Sequence, residues 1–392
     1  MFLVNRFGRV VQVDDEELAD KKIKSGRMRV ASDTEIARAL AGKELAASAD
    51  PGSVYYSTVR QSSDGYGMSR DHVKYELAEL GVKLSEQFHE QKVGLLYNYP
   101  YTILSLRNDV RLCYTMFESD KIPEDWPDLL KSAEEVIVPS KWCHDVFLKA
   151  GIPSTVVPLG YDSHTFTYVD RPVPVENNEP FVFIHYDSFN MRKGFREVFE
   201  AFRQEFDKSD NVKLILKTNR EAAAIPVVKS EFPNIEVIRG ALPAAELAAL
   251  LGRANCMVYP SRGEGFGITP LEAMATGLPA IVPNAHGISE YFNSNYMLEV
   301  EVEGKCPALN GRFKSQDIGD MVVCSVEHLR QQMRYAFNNQ AEMKELGRQA
   351  AEYAKGWTYK HTAERLKAII EKWQKTEVIK RQDSKYLQVE RV

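Results

Sequence analysis

The chain is predicted to fold as two doubly wound α/β units facing a common cleft, with a small extra module at the front. Three observations carry that expectation. At 392 residues the chain is too long for one ordinary core and suits two. From Ser53 onward, β-rich apolar runs alternate with helical patterns, which argues for βαβ units and parallel sheets. The alternation then restarts after residues 170–180, a stretch rich in proline and polar residues that reads as a linker.

Taken in order, residues 1–50 form the add-on module. Phe2-Leu-Val-Asn5 and Arg9-Val-Val-Gln-Val13 read as a hairpin, and the acids from Asp14 open a short helix, as its dipole favours. Lys21 to Arg29 is a basic cluster, read as a solvated face. The first α/β domain spans 51–175, with strands expected at 54–59, 93–97, 110–117, 135–138 and 155–157 and a helix at 69–80 ending at Gly81. The second spans 176–358, with strands at 181–186, 212–217, 235–238, 256–259 and 280–282. Helices are expected between them at 194–206, 222–231, 244–253 and 269–276, followed by an irregular stretch at 307–320. Helical patterns return at 326–339, 341–355 and 360–375, and residues 359–392 make a last helix and tail.

Composition narrows the class. Hydrophobic residues at 44% and charged residues at 27% are ordinary globular values, and a formal charge of −5 argues against tight non-specific binding to nucleic acid or anionic membrane. Met1-Phe-Leu-Val4 lacks a secretory pattern, and no apolar run approaches the ~20 residues needed to span a bilayer. The five cysteines are scattered without Cys-x-x-Cys pairs, which speaks for reduced thiols and against a zinc site. A cytoplasmic protein is expected.

One block concentrates the chemistry: Tyr259-Pro-Ser-Arg-Gly-Glu264-Gly-Phe-Gly267-Ile-Thr-Pro-Leu-Glu272-Ala-Met-Ala-Thr-Gly277-Leu-Pro279. An apolar strand runs into a glycine-rich bend that opens a helix. Helix starts expose N–H groups and partial positive charge, so they favour a phosphate. Gly265 and Gly267 remove side chains where a ligand would approach the backbone. Glu264 and Glu272 bracket the bend, and carboxylates accept hydrogen bonds from sugar hydroxyls. The same residues also fit a capping box, with Thr269 as N-cap, Pro270 at the first position and Glu272 at the third, closed by Gly277. Capping accounts for Glu272 but not for Glu264.

The block resembles the Glu-x7-Glu signature of retaining glycosyltransferases of GT-B architecture, the family-four type. The resemblance runs from about Ser53 to about Trp373 and takes in further landmarks in order. These are Asp64-Gly-Tyr-Gly67, Thr115-Met-Phe-Glu118, Val138-Pro-Ser140, Pro158-Leu-Gly-Tyr-Asp162, Arg192-Lys-Gly194 and His286-Gly-Ile-Ser-Glu290. It implies that the second domain binds a nucleotide-sugar and that the last helix crosses back onto the first domain. Arg192 and Lys193 would neutralise a departing diphosphate beside Glu264, with Glu272 on the ribose. Backbone N–H groups of Gly265, Phe266, Gly267, Ile268 and Thr269 would contact phosphate or sugar, and Arg239 and Gly240 the base. Gly65 and Gly67 would face the diphosphate from across the cleft, with Asp64, Tyr66, Glu118 and Asp120 toward the acceptor. The chain departs from the family at 187–191, Asp-Ser-Phe-Asn-Met, where many members carry an arginine. It also lacks the first-domain histidine expected near 115–120.

The implied reaction is glycosyl transfer with retention of anomeric configuration. The departing phosphate oxygen takes the acceptor's proton, and the protein supplies position and charge stabilisation. With no Asp-x-Asp in the chain, metal independence and no cofactor beyond the nucleotide-sugar are expected. The acceptor is a glycan, a lipid-linked intermediate or another hydroxyl compound. A modified nucleic-acid base as acceptor, or a non-catalytic binding subunit of the same fold, are the alternatives.

Overall fold

The computed structural model describes residues 2–5, 10–12, 28–30, 52–57, 65–87, 91–219, 233–310, 313 and 316–378. At the front, β1 (Phe2–Asn5) pairs antiparallel with β2 (Val10–Gln12), as the hairpin reading has it, and also with β3 (Met28–Val30). The helix expected after Asp14 lies outside the described residues.

The first large sheet holds β4 (Val54–Ser57), β5 (Leu84–Ser85), β6 (Val93–Tyr97), β7 (Val110–Tyr114), β8 (Glu135–Val138) and β9 (Thr155–Val156). All its pairings are parallel, in the order β5-β4-β6-β7-β8-β9. Every residue of Val93–Tyr97 is buried, because a parallel sheet is covered on both faces. Around it lie α1 (Gly65–Glu79), α2 (Trp126–Leu130) and α3 (Lys141–Lys149). Helix α1 starts four residues before the expected Ser69, so Gly65 to Gly67 form its first turn. Strand β7 stops at Tyr114, short of the expected Phe117. The Thr115 N–H still donates to the Ile137 carbonyl of β8 at 2.9 Å, but beyond it the chain turns away and the Met116 N–H donates to the Tyr66 hydroxyl at 2.6 Å.

The second large sheet holds β10 (Phe181–Tyr186), β11 (Val212–Thr218), β12 (Ile235–Arg239), β13 (Cys256–Val258), β14 (Ala280–Val282) and β15 (Leu298–Glu299). These strands are also parallel, in the order β12-β11-β10-β13-β14-β15. The order reverses between β10 and β13, and such sheets bind ligands at that switch point, beyond the carboxyl ends of the strands. Helices α4 (Phe195–Glu205), α5 (Ala244–Gly252) and α6 (Ile268–Ala275) follow individual strands. The helix expected at 222–231 lies outside the described residues. Helix α6 ends as expected at Gly277: with φ at +80°, its N–H reaches the Met274 carbonyl at 2.8 Å and the Leu278 N–H reaches Ala273 at 3.0 Å.

The described residues of 308–319 form neither helix nor strand, as expected, but two strands flank the stretch. β16 (Val302–Pro307) and β17 (Asp320–Cys324) form an antiparallel hairpin. Most of β16 is exposed, so it carries no apolar alternation for a sequence reading to detect. The segment between its strands crosses to the first domain, where Phe313 packs against Phe117 and Trp126, and Ser119 Oγ donates to the Ile318 carbonyl at 2.7 Å.

Three helices close the described chain: α7 (Val326–Asn338), α8 (Gln340–Ala354) and α9 (Tyr359–Lys375). Helix α9 lies against α1, with Lys367 Nζ donating to the Leu80 carbonyl at 2.8 Å and Lys92 Nζ to that of Gln374 at 2.9 Å. Trp357 packs against Phe266 and Tyr291, and Trp373 donates to Glu135 at 2.5 Å. Both tryptophans are half-buried; Trp357, just before α9, packs on the second domain and Trp373, near its end, on the first, so the segment ties the two halves together. Among the described residues, no helix is long and apolar enough to cross a membrane.

Candidate active site

The switch point of the second sheet is where charged side chains meet. Beyond β10 the chain continues through Asp187 into a 3-10 turn, Met191–Lys193, capped by the Asn190 side chain, which accepts the Lys193 N–H at 3.1 Å. Gly194 closes that turn at φ +71°. A side chain there would meet the Pro260 carbonyl oxygen at 2.1 Å, so the turn lies flat against the chain leaving β13. The two segments are joined further by Arg262 N–H to the Arg192 carbonyl at 2.7 Å.

This zipper brings together residues distant in sequence. Lys193 Nζ lies 2.8 Å from Glu264 Oε1, 2.8 Å from Asp187 Oδ2 and 2.9 Å from the Tyr259 hydroxyl. Arg192 Nη1 forms an ion pair with Glu264 Oε2 at 3.1 Å and donates to the Gly263 carbonyl at 2.5 Å. Ser261 Oγ donates to Glu264 Oε1 at 2.6 Å. The Tyr259 hydroxyl donates to Asp187 Oδ2 at 2.6 Å and lies 3.0 Å from Glu264 Oε1. Burial pushes the Glu264 carboxyl up, but Lys193 and Arg192 outweigh it and hold the group well below the usual carboxylate range. Asp187 is lowered in the same way, chiefly by Lys193 against its burial.

Helix α6 begins beside this cluster. Its N-cap is Gly267, at φ 89°, with no side-chain cap. The expected capping box is therefore not formed. Thr269 sits inside the first turn, its Oγ1 3.5 Å from Asp187 Oδ2, and Glu272 accepts from the Tyr186 hydroxyl at 2.5 Å. Burial pushes the Glu272 carboxyl up to about 8, with the Asp187 and Asp162 charges adding and the Tyr186 hydroxyl opposing. The space beside the glycines is filled by protein. A side chain on Gly265 would meet Met116 Cβ at 2.8 Å, and one on Gly267 would meet Ile288 Cγ1 at 2.8 Å.

Gly265 is thus a point of contact between the domains. Ser140 Oγ caps α3 by accepting the Cys143 N–H and donates to the Gly265 carbonyl at 2.8 Å. The Glu118 carbonyl lies where a Gly263 side chain would stand. Tyr66, in the first turn of α1 with Gly65 and Gly67, holds the Met116 backbone. Asp120 pairs with Lys305 at 2.8 Å and accepts the Asp320 N–H at 2.7 Å, which engages both its oxygens with the hairpin. Asp64 lies outside the described residues. Arg239 and Gly240 stand apart from the cluster at the end of β12, two strands from the switch point, where the Gly240 carbonyl accepts from Lys217 Nζ at 2.7 Å.

Asp187, Tyr186, Tyr259, Ser261 and His286 belong to the cluster or its lining, and sequence reasoning gave none of them a role. The signal for Asp187 was its place directly after a strand at the switch point. His286 has φ +43° and donates or accepts through Nε2 at 2.9 Å from the Ser261 carbonyl. Burial pushes its imidazole down to about 4, so it is neutral.

The two facing parallel-sheet domains define the GT-B architecture of glycosyltransferases. Superposition on the crystal structure of Anabaena HepE with UDP gives a TM-score of 0.60, at 13% identity, over 82% of this chain and all of that one (100%). Sucrose-phosphate synthase from Thermosynechococcus elongatus gives 0.56 at 17% identity, over 87% and 94% of the two chains. More particularly, residues 168–304 match the family described as glycosyl transferases group 1, and that segment contains the whole charged cluster. N-acetyl-alpha-D-glucosaminyl L-malate synthase of Bacillus anthracis is 23% identical over 222 residues, 56% of this chain and 55% of that protein. A provisionally named glycosyltransferase of Sulfolobus islandicus filamentous virus is 27% identical over 199 residues, 48% and 54% of the two chains. The chain therefore spans about half the length of these curated relatives.

Proposed function

We propose that the protein is a retaining glycosyltransferase that moves a sugar from a nucleotide-sugar donor to an acceptor hydroxyl, without a metal or further cofactor. The observation that carries this reading is the Arg192–Lys193–Glu264 cluster lying against the uncapped start of α6 at the switch point. Cations and helix N–H groups fixed in advance stabilise charge as it develops on a departing diphosphate, with no reorganisation at the moment of reaction. The match of this same segment to group 1 glycosyl transferases and the fold shared with a protein crystallised with UDP support the reading.

In this reading Arg192 and Lys193 receive the diphosphate and Glu264 lies by the transferred sugar. The N–H groups of Phe266, Gly267, Ile268 and Thr269 contact phosphate and sugar, and Arg239 and Gly240 the base. Glu272, protonated at neutral pH, can both donate to and accept from ribose hydroxyls. The acceptor enters from the side of Gly65, Tyr66, Glu118 and Asp120, and its hydroxyl proton passes to the departing phosphate oxygen on the same face. Acceptors with sugar or lipid-linked hydroxyls are the class we favour.

The test is a panel of UDP-, GDP-, ADP- and TDP-sugars, scored by thermal stabilisation and by donor turnover with acceptor. One nucleotide series should raise the melting temperature, because a ligand bound only to the folded state stabilises it by mass action. The configuration of the product, read by NMR, should equal that of the donor. No stabilisation and no turnover with any member would overturn the reading.

A further inference from the structure

Asp187 has no counterpart in the roles assigned above, yet it sits at their centre. Its Oδ2 accepts from Lys193 Nζ at 2.8 Å and from the Tyr259 hydroxyl at 2.6 Å, with Thr269 Oγ1 at 3.5 Å, and its Oδ1 accepts the Ser188 N–H at 2.5 Å. A lysine, a hydroxyl and the first turn of a helix are the partners a phosphate oxygen would take. The two carboxylates, Asp187 and Glu264, cancel the two cations, Arg192 and Lys193, so the cluster has no net charge to offer an incoming anion. The two carboxylates are not held equally. Glu264 is bound by Arg192, Lys193 and Ser261 and is 8% exposed, whereas Asp187 is 15% exposed and stands at the open end of β10.

We propose that Asp187 is an internal counter-anion that occupies the diphosphate's place on Lys193 and is displaced when the nucleotide binds. The proposal rests on the reading of this cluster as a diphosphate site. Donor entry becomes an exchange of one anion for another, and product release is assisted by Asp187 returning to Lys193. The carboxylate limits how tightly the nucleotide diphosphate is held, and so acts on the turnover of the site without touching the sugar.

The experiment compares the full chain with D187N, and with D187S in case the first variant folds poorly, folding being checked by circular dichroism. Affinity for inorganic pyrophosphate, UDP, GDP and ADP is measured by calorimetry. Asn keeps one oxygen to accept from Lys193 and Tyr259, loses the acceptor for the Ser188 N–H and removes the charge, so the diphosphate that binds the wild type should bind D187N at least about tenfold tighter, with KM and kcat of transfer both lowered. A residue that only positions Lys193 predicts the opposite sign, so equal or weaker binding by the variants overturns the proposal. If neither wild type nor variants bind any diphosphate, the reading of the site itself fails, and the proposal with it.

Discussion

The Lys193 ammonium lies 2.8 Å from Glu264 Oε1, with both side chains less than a tenth exposed. Buried ions survive in a fold when paired and hydrogen-bonded, and removing one partner leaves the other uncompensated at a cost of about 3–5 kcal/mol. Glu264→Ala and Lys193→Ala should therefore lower the melting temperature as well as abolish transfer. Glu264→Gln separates the two effects: it should fold, while turnover falls at least about 100-fold. Wild-type turnover in the Gln variant would remove Glu264 from the reaction.

Gly265 should tolerate no side chain. Alanine would bring its Cβ to 2.8 Å from Met116 Cβ, a separation the two domains can relieve only by moving apart. We expect G265A to lose most of its activity while each domain stays folded, and M116G in the same chain to restore a measurable part. Undiminished activity of G265A would show that the contact is not needed in the working state.

Glu272 should make stability depend on pH. Its folded-state value is raised to about 8, so the native state keeps a proton that the unfolded chain has released. Its contribution is complete below the ordinary carboxylate range and is lost as pH rises toward 8, each unit corresponding to about 1.4 kcal/mol at most. Wild-type melting temperature should fall relative to E272Q between pH 5 and 8. Parallel curves for the two proteins would contradict a buried, protonated Glu272.

Metal independence is checked with chelator. Because Arg192 and Lys193 supply positive charge at the proposed diphosphate position once Asp187 is displaced, transfer should proceed at full rate in excess EDTA. Loss of activity that returns only with Mg²⁺ would assign part of that charge to an ion.

Much of the fold was legible because its signals are local. Continuous apolar runs such as Val93–Tyr97 betray strands covered on both faces, and Gly277 before Leu278-Pro279 marks a helix end from residues within one turn of it. The strand–glycine–helix block likewise announced Glu264. The hairpin at 302–324 was not legible, since β16 is held by contacts to Asp120 and its neighbours and carries no apolar alternation of its own.

Sequence alone determined the two alternating α/β units and the segment of chain that carries the charged cluster, because periodicity and turn chemistry are properties of neighbours. Only the tertiary structure decided what those residues contact. It turned Thr269 and Glu272 from a cap into neighbours of Asp187 and Tyr186, set Met116 against Gly265, and brought Asp187 onto Lys193. The reason is that the order of strands in a sheet, and hence which loops meet at its switch point, is set by packing across the whole domain and leaves no trace in any short window of the chain.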